Sequence, residues 1–412
     1  MEEIMEIING GITAAKGFKA AGANAGIKNK TKKDMALVVS EKPCVAAGTF
    51  TTNKVKAAPV KWDQHVVFES EEVNAFVVNS GVANACTGQE GYDNCRRLAG
   101  RVGEKLGFDA DSVLVMSTGV IGMQLPMDVM LGGIDILVPE LSETAAAGEL
   151  ASEAIMTTDT RKKQVAVTVD VGGVTVTLGG MCKGAGMIHP NMATMLGFVT
   201  TDACVDKAVL QKMLSEIIAD TFNMISVDGD TSTNDTFVVL ANGMAGNERI
   251  SSSKDEGYAA FREGLEYVCR ELAKAIAGDG EGATCLFEAN VINAATKEQA
   301  KVLAKSIITS NLTKAAIFGH DANWGRILCA MGYSGADFDP EVVDIYFESE
   351  AGRLKIVENG TATDYSEELA TKILSCNSVR AIADVKQGSE EATAWGCDLT
   401  FDYVKINADY RS

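Results

Sequence analysis

Positive charge is what this sequence has least of. Lys and Arg number 37 against 56 Asp and Glu, a net charge of −19. Nucleic acids and anionic membrane surfaces select basic patches, so neither is an expected partner. Cysteines number ten, yet none form a Cys-x-x-Cys pair and no Cys/His group has zinc spacing. No metal is therefore expected. The histidines are three, at positions 65, 189 and 320, and none sits in a recognisable catalytic motif. A Ser-His-Asp or Cys-His scheme would have to rest on one of them. No apolar run approaches the length of a membrane-spanning helix. The start Met1-Glu-Glu-Ile-Met-Glu is acidic and lacks the basic and apolar regions of an export signal. Repeats of fixed period and low-complexity tracts are also missing. Together these absences predict a cytoplasmic protein whose scattered cysteines stay reduced.

What is present is 412 residues, 46% of them hydrophobic, with 40 glycines against six prolines. That is enough chain for more than one core, with many tight turns and close backbone approaches. Apolar runs at 35–40, 75–78, 113–116, 165–169, 174–178, 195–199 and 237–240 read as strands, with a hairpin turn at Gly172-Gly173. Residues 46–53 read as a further strand, and Ala57-Ala-Pro59-Val60 as an extended piece. Helical spacing predicts helices through Cys95, Leu98, Val102 and Leu106, from about Glu140 to Met156, and from Val205 to Ile217. It predicts others from Phe261 to Ile276, after a capping box at Thr296, and from Ser366 to Leu374. Leu312 to Phe318, Val342 to Phe347, Leu354 to Val357 and Leu399 to Ile406 read as strands. The interleaving gives an α/β (α+β mixed) class. The acidic stretch Asp228 to Asp235 lacks calcium-loop spacing and reads as a polar turn.

The richest stretch for chemistry is Lys183-Gly-Ala-Gly-Met-Ile-His-Pro-Asn-Met-Ala-Thr-Met-Leu196. A glycine-rich bend leads to Ala193-Thr194 and then to an apolar strand. A threonine is a nucleophile when a base sits beside it, and a free α-amine on the same residue is one such base. That amine titrates near pH 8, so a sizeable fraction is neutral at physiological pH. An N-to-O acyl shift at Thr194 followed by hydrolysis would create it. Ser117-Thr118-Gly119 ends a predicted strand, a place where a hydroxyl and backbone N–H groups can meet a ligand.

The 183–196 stretch resembles the self-cleavage motif of the glutamate/ornithine N-acetyltransferase family of arginine biosynthesis. The likeness extends in separate motifs from about Gly10 to Ser412, through Thr51 to Pro59, Val227 to Thr236 and Ile317 to Arg326. It implies the two-domain, self-processing fold that this family shares with certain aminopeptidases. It also implies cleavage between Ala193 and Thr194 into a 1–193 chain and a 194–412 chain. By the same likeness Thr194 is the nucleophile, Thr118 and Gly119 form the oxyanion hole, and Thr157, Lys183, Thr194, Glu281, Asn407 and Ser412 bind substrate. Thr158, beside Thr157, remains an alternative. A lysine suits the α-carboxylate of an amino acid, and a glutamate suits the amino group of ornithine. The sequence departs from the family pattern at Val82, where an asparagine is expected, and at Ser412, where threonine is usual and the hydroxyl is kept.

The implied reaction moves acetyl from N2-acetylornithine to glutamate in a ping-pong cycle without a bound cofactor. Members differ in also taking acetyl from acetyl-CoA, and no motif here selects either group. The implied assembly is a heterotetramer of two α and two β chains. A self-processed aminopeptidase and a binding protein that has lost the chemistry are the alternatives. Lys183 and Glu281 speak against the first, and the intact Thr118, Gly119, Lys183 and Thr194 against the second.

Overall fold

Runs rich in Val, Ala and Leu become strands, and the helices between them turn one apolar face toward those strands. The computed structural model describes residues 5–29, 31–189 and 195–408. The fold is mixed α/β with two sheets, one in each of two compact units. The first unit takes residues 5–184, 195–219 and 231–272, and the second takes 185–189, 220–230 and 273–408.

The strands of the first unit are β1 (Met5–Ile8), β2 (Phe18–Ala23), β3 (Met35–Phe50), β4 (Val73–Val82), β5 (Val113–Val120), β6 (Lys163–Val171), β7 (Val174–Lys183), β8 (Leu196–Thr201) and β9 (Thr236–Ala241). Among the described residues they pair in the order β1-β6-β7-β8-β9-β3-β4-β5, with β2 beside β3. The long β3 joins the two halves of this sheet, pairing with β4 from Met35 to Cys44 and with β9 from Val45 to Phe50. Two separate strands were expected there because Glu41-Lys42-Pro43 interrupts the apolar run. Those three residues are exposed, and the register shifts between Val39 and Cys44, so a proline without an N–H is tolerated within the strand.

Helices α1 (Ala58–Glu69), α2 (Gly88–Leu106), α3 (Met127–Leu137), α4 (Ala145–Ala154), α5 (Lys207–Asp220) and α6 (Tyr258–Ala277) complete the order up to this point. Val66, Leu98, Val102 and Ile134 from the first three join Val77, Val78 and Val115 of the sheet in one core. Phe76 of β4 stacks on Phe198 of β8 with ring centroids 4.5 Å apart and planes 11° from parallel. This core is what holds the ends of β5 and β7 in place.

The second unit contains β10 (Leu286–Ala294), α7 (Lys297–Thr309), α8 (Asn311–Phe318), α9 (Trp324–Gly332), β11 (Asp344–Ser349), β12 (Gly352–Glu358), β13 (Thr361–Ala362), α10 (Glu367–Leu374), β14 (Ser378–Asp384), β15 (Glu390–Cys397) and α11 (Phe401–Ala408). Its sheet order is β13-β12-β11-β14-β10-β15, with β10 and β14 parallel. The α7 start follows the expected capping box: Thr296 accepts from the Gln299 N–H.

Four expectations are corrected. Only Ala57, the cap residue, is extended; Ala58 to Val60 open α1, where Pro59 occupies the first turn and its missing N–H costs nothing. The helix expected from Glu140 to Met156 is only α4, and α3 precedes it. Leu312 to Phe318 is helical: Ser310 caps the Thr313 N–H, and Thr313, Ala316 and Ile317 are buried at helical spacing. Leu399 to Ile406 alternates like a strand, yet 401–408 is α11. None of its residues is buried, and Phe401 is 83% exposed, so the alternation marks no buried face. Among the described residues, no helix is long and apolar enough to cross a membrane.

Truncating the stacked pair tests this core. Phe198→Ala is expected to lower unfolding free energy by roughly 3–5 kcal/mol, measured by urea denaturation. A loss below about 1 kcal/mol would be ordinary for a surface change and would contradict the packing described.

Candidate active site

The sequence-predicted residues fall into two clusters, one in each unit. The first begins where β4 and β5 run parallel, with Ser80 opposite Thr118 and Gly81 opposite Gly119. The two strands meet so closely there that a β-carbon on Gly119 would come within 2.2 Å of the Gly81 carbonyl carbon. Gly119 also has φ +134°, a conformation that L side chains rarely adopt. Glycine is thus required by both conformation and space. Polar bonds fix the strand end around it: Ser117 donates to Asn79 at 2.6 Å, and Asn234 donates to the carbonyls of Ala83 and Ser117 at 2.6 and 2.7 Å.

Lys183, the last residue of β7, points its ammonium at Thr118 Oγ1 across 3.5 Å. It is only 7% exposed, so it is not the solvated lysine that composition alone would suggest. A hydroxyl that accepts from an ammonium keeps its own proton to donate elsewhere. The charge of Lys183 is balanced by buried Asp159. That carboxylate accepts from Lys163 Nζ at 2.6 Å, from the Gly184 N–H at 2.7 Å and from the Thr157 N–H at 3.0 Å. Burial opposes ionisation of Asp159, but the charges of Lys183 and Lys163 and the bonds from Lys163 and Gly184 outweigh it. They hold the carboxyl well below the ordinary carboxylate range. One anion therefore ties the Thr157 backbone to the Lys183-Gly184 turn.

The second cluster contains Glu281 and Asn407. Glu281 is 6% exposed. Asn407 Nδ2 donates to its Oε2 at 2.7 Å, and its own N–H donates to the Ala185 carbonyl at 2.8 Å. A β-carbon on Gly186 would sit 2.3 Å from that carboxylate. Asp228 accepts from the N–H groups of Met187 and Ile188 at 2.7 and 2.8 Å. Burial and the charges of Asp228 and Glu281 push the Tyr403 phenol up, so it stays protonated. His189 lies 3.1 Å from Ser226 Oγ through Nδ1. Burial, helped by the Lys305 charge, lowers it to about 4.

So the structure brings Thr118, Gly119 and Lys183 together in the first unit, with Thr157 linked through Asp159, and Glu281 with Asn407 in the second. Ala193, Thr194 and Ser412 lie outside the described residues. Sequence reasoning gave no role to Asp159, Lys163 or Asn234. The four-residue spacing of Asp159 and Lys163 was the available signal, but such a pair usually lies on a solvated surface. Among the described residues no group of His, Cys, Asp or Glu is arranged to hold a metal ion.

Chemically, the first cluster places a hydroxyl beside a buried cation, an arrangement suited to an anion. A family model described as the ArgJ family matches residues 19–412. The arginine biosynthesis bifunctional protein ArgJ of Caldanaerobacter subterraneus subsp. tengcongensis is 52% identical over 408 residues, which covers 99% of this chain and 100% of that one. The bifunctional protein ArgJ 1 of Clostridium acetobutylicum is 51% identical over 413 residues, covering both chains completely. A crystal structure of the bifunctional protein argJ from Bacillus halodurans is 48% identical with a TM-score of 0.51. It covers 53% of this chain and 100% of that one.

The sign of the Asp159 effect gives a test. A carboxyl held below its unfolded pKa, near 3.9, contributes stability above about pH 4 and loses it as pH falls further. Asp159→Asn is expected to cost roughly 3–5 kcal/mol at pH 7 by leaving buried cations uncompensated. The gap to the native protein should narrow below about pH 4. Urea melts at pH 7 and in acid measure both, and a gap independent of pH would contradict the ionised state.

Proposed function

The chain belongs to the ArgJ family of arginine biosynthesis, and from that premise we propose that it carries acetyl from N2-acetylornithine to glutamate through acetyl-Thr194. The observation that carries this reading is the Lys183 ammonium aimed at the Thr118 hydroxyl beside Gly119, with Lys183 paired opposite Leu196 at the start of β8. Thr194 stands two residues before Leu196 in the sequence.

Cleavage between Ala193 and Thr194 gives chains of 1–193 and 194–412. The sheet supports their staying together. β8 and β9 belong to the second chain and lie between β7 and β3 of the first, antiparallel to β7 on one side and to β3 on the other. The solved Bacillus halodurans chain, matched over its full length yet covering about half of this one, is of a size that fits such a fragment. Two cleaved pairs then form a heterotetramer in the cytoplasm.

The new α-amine of Thr194 takes the Oγ proton as the oxygen attacks the acetyl carbonyl. The Thr118 hydroxyl and the Gly119 N–H hold the oxyanion. The tetrahedral adduct collapses, the C–N bond breaks, and the proton leaves on the α-nitrogen of ornithine. Glutamate enters, its amine attacks the acetyl ester, and Thr194 Oγ recovers the proton as it departs. Lys183 holds the α-carboxylate in both halves. Glu281 takes the side-chain ammonium of ornithine, and Thr157, Asn407 and Ser412 complete the contacts. Acetyl-CoA enters, where used, as another donor to the same threonine.

Thr194→Ala should give one uncleaved chain with no transfer, whereas Thr118→Ala should still be cleaved and lose roughly 10²–10³ in kcat. Because only the neutral amine is a base, kcat of the native protein should rise with pH and level off above about 8. A cleaved, active Thr194→Ala protein would overturn the reading. Acetate release without glutamate, as fast as transfer with it, would point instead to a hydrolase.

A further inference from the structure

A second lysine stands at the Gly81–Gly119 contact, and the chain is folded to put it there. Buried Asp34 accepts from the N–H groups of Ala25 and Ile27, both at 2.6 Å, and from that of Lys28 at 3.1 Å. The resulting turn lays Lys28 over Gly81. A β-carbon on Gly81 would come within 2.9 Å of Lys28 Cγ and 3.2 Å of Ile27 Cγ2. Gly81 is in turn the residue against which Gly119 packs. The Lys28 ammonium donates to the carbonyl of Met156 at 2.5 Å, immediately before Thr157. An ammonium has three donors, so this bond leaves others to give.

We propose that Lys28 is a substrate-binding residue that, with Lys183, grips the α-carboxylate common to the donor and acceptor amino acids. The proposal rests on the acetyl-transfer reading above and extends it to a residue outside the family likeness. Charge supports it. Lys28, Lys183 and Lys163 gather around Asp34 and Asp159, and Asp159 is already bonded to Lys163 and Gly184. A carboxylate entering beside Thr118 would be attracted by the charges of these lysines. Burial lowers the Lys28 ammonium to about 8, against the pull of Asp34 and Asp159 and with help from the charges of Lys183 and exposed Lys32. A bound carboxylate would raise it again.

The test is calorimetric titration of the cleaved, full-length protein with L-ornithine at pH 7, for native protein, Lys28→Met and Lys28→Arg. Losing one charge-assisted contact should weaken ornithine about ten- to a hundredfold in Lys28→Met. Lys28→Arg should keep most of the affinity. A pH series of KM for N2-acetylornithine, whose α-nitrogen does not titrate, separates a binding role from a structural one. In the native protein KM should rise as pH passes upward through about 8. In Lys28→Arg that rise should vanish, because guanidinium stays charged. The Thr194 amine titrates in the same range but acts on kcat. Native-like ornithine binding by Lys28→Met, or a KM rise that persists in Lys28→Arg, overturns the proposal. If Lys28→Met fails to fold, as shown by circular dichroism, the arginine profile alone decides. A native protein that binds ornithine but transfers no acetyl sinks the acetyl-transfer reading and leaves the Lys28 proposal to the binding data. A native protein that binds no ornithine overturns both.

Discussion

The bond set around Asp159 is what the rest of the first cluster depends on. A lysine as buried as Lys183 would ordinarily lose its proton or leave the interior. Asp159 makes the buried charge tolerable, and its bonds to Lys163, Gly184 and Thr157 fix where that charge points. Thr118 then receives a hydrogen bond from the cation. An isolated buried ion pair adds little to stability, but removing one member leaves the others exposed to the full desolvation cost. The arrangement is therefore better understood as holding a cation ready for an anion than as a support of the fold.

The sheet of the first unit imposes the second constraint. β7 ends at Lys183, β8 starts at Leu196, and these two residues are direct partners in the ladder. Whatever chemistry occurs in the connection between them begins and ends at one edge of a paired, buried ladder. With β8 and β9 enclosed by β7 and β3, the bond between 193 and 194 is not what keeps the two segments associated. Backbone pairing and stacked Phe76 and Phe198 do that.

Much of this was legible in the sequence, and the failures have physical causes. Strands β4, β5, β8 and β9 announced themselves as apolar runs, and β6 and β7 by alternation on either side of the Gly172-Gly173 turn. Thr118, Gly119, Lys183, Glu281 and Asn407 were singled out through the family resemblance, and the structure pairs Lys183 with Thr118 and Asn407 with Glu281. What stayed hidden was nonlocal or ambiguous over a short span. The 312–318 segment is apolar enough for either state, and only the Ser310 cap and its burial spacing decide for a helix. The 399–406 alternation describes a helix that buries nothing. Asp34 and Lys28 were given no role, because nothing local reveals that three backbone N–H groups converge on one buried carboxylate. Asp159 likewise shows its importance only when Lys163, Lys183 and Gly184 arrive from β6 and the end of β7.

In the proposed reaction acetyl passes through the amino-terminal threonine of the 194–412 chain. Intact-mass spectrometry of the purified protein, taken after brief incubation with N2-acetylornithine in the absence of glutamate, tests it most directly. Two chains are expected, the larger beginning at Thr194 and carrying the mass of one acetyl group, which disappears when glutamate is added. A single 412-residue chain, or an acetyl group that maps elsewhere or survives glutamate, would contradict it.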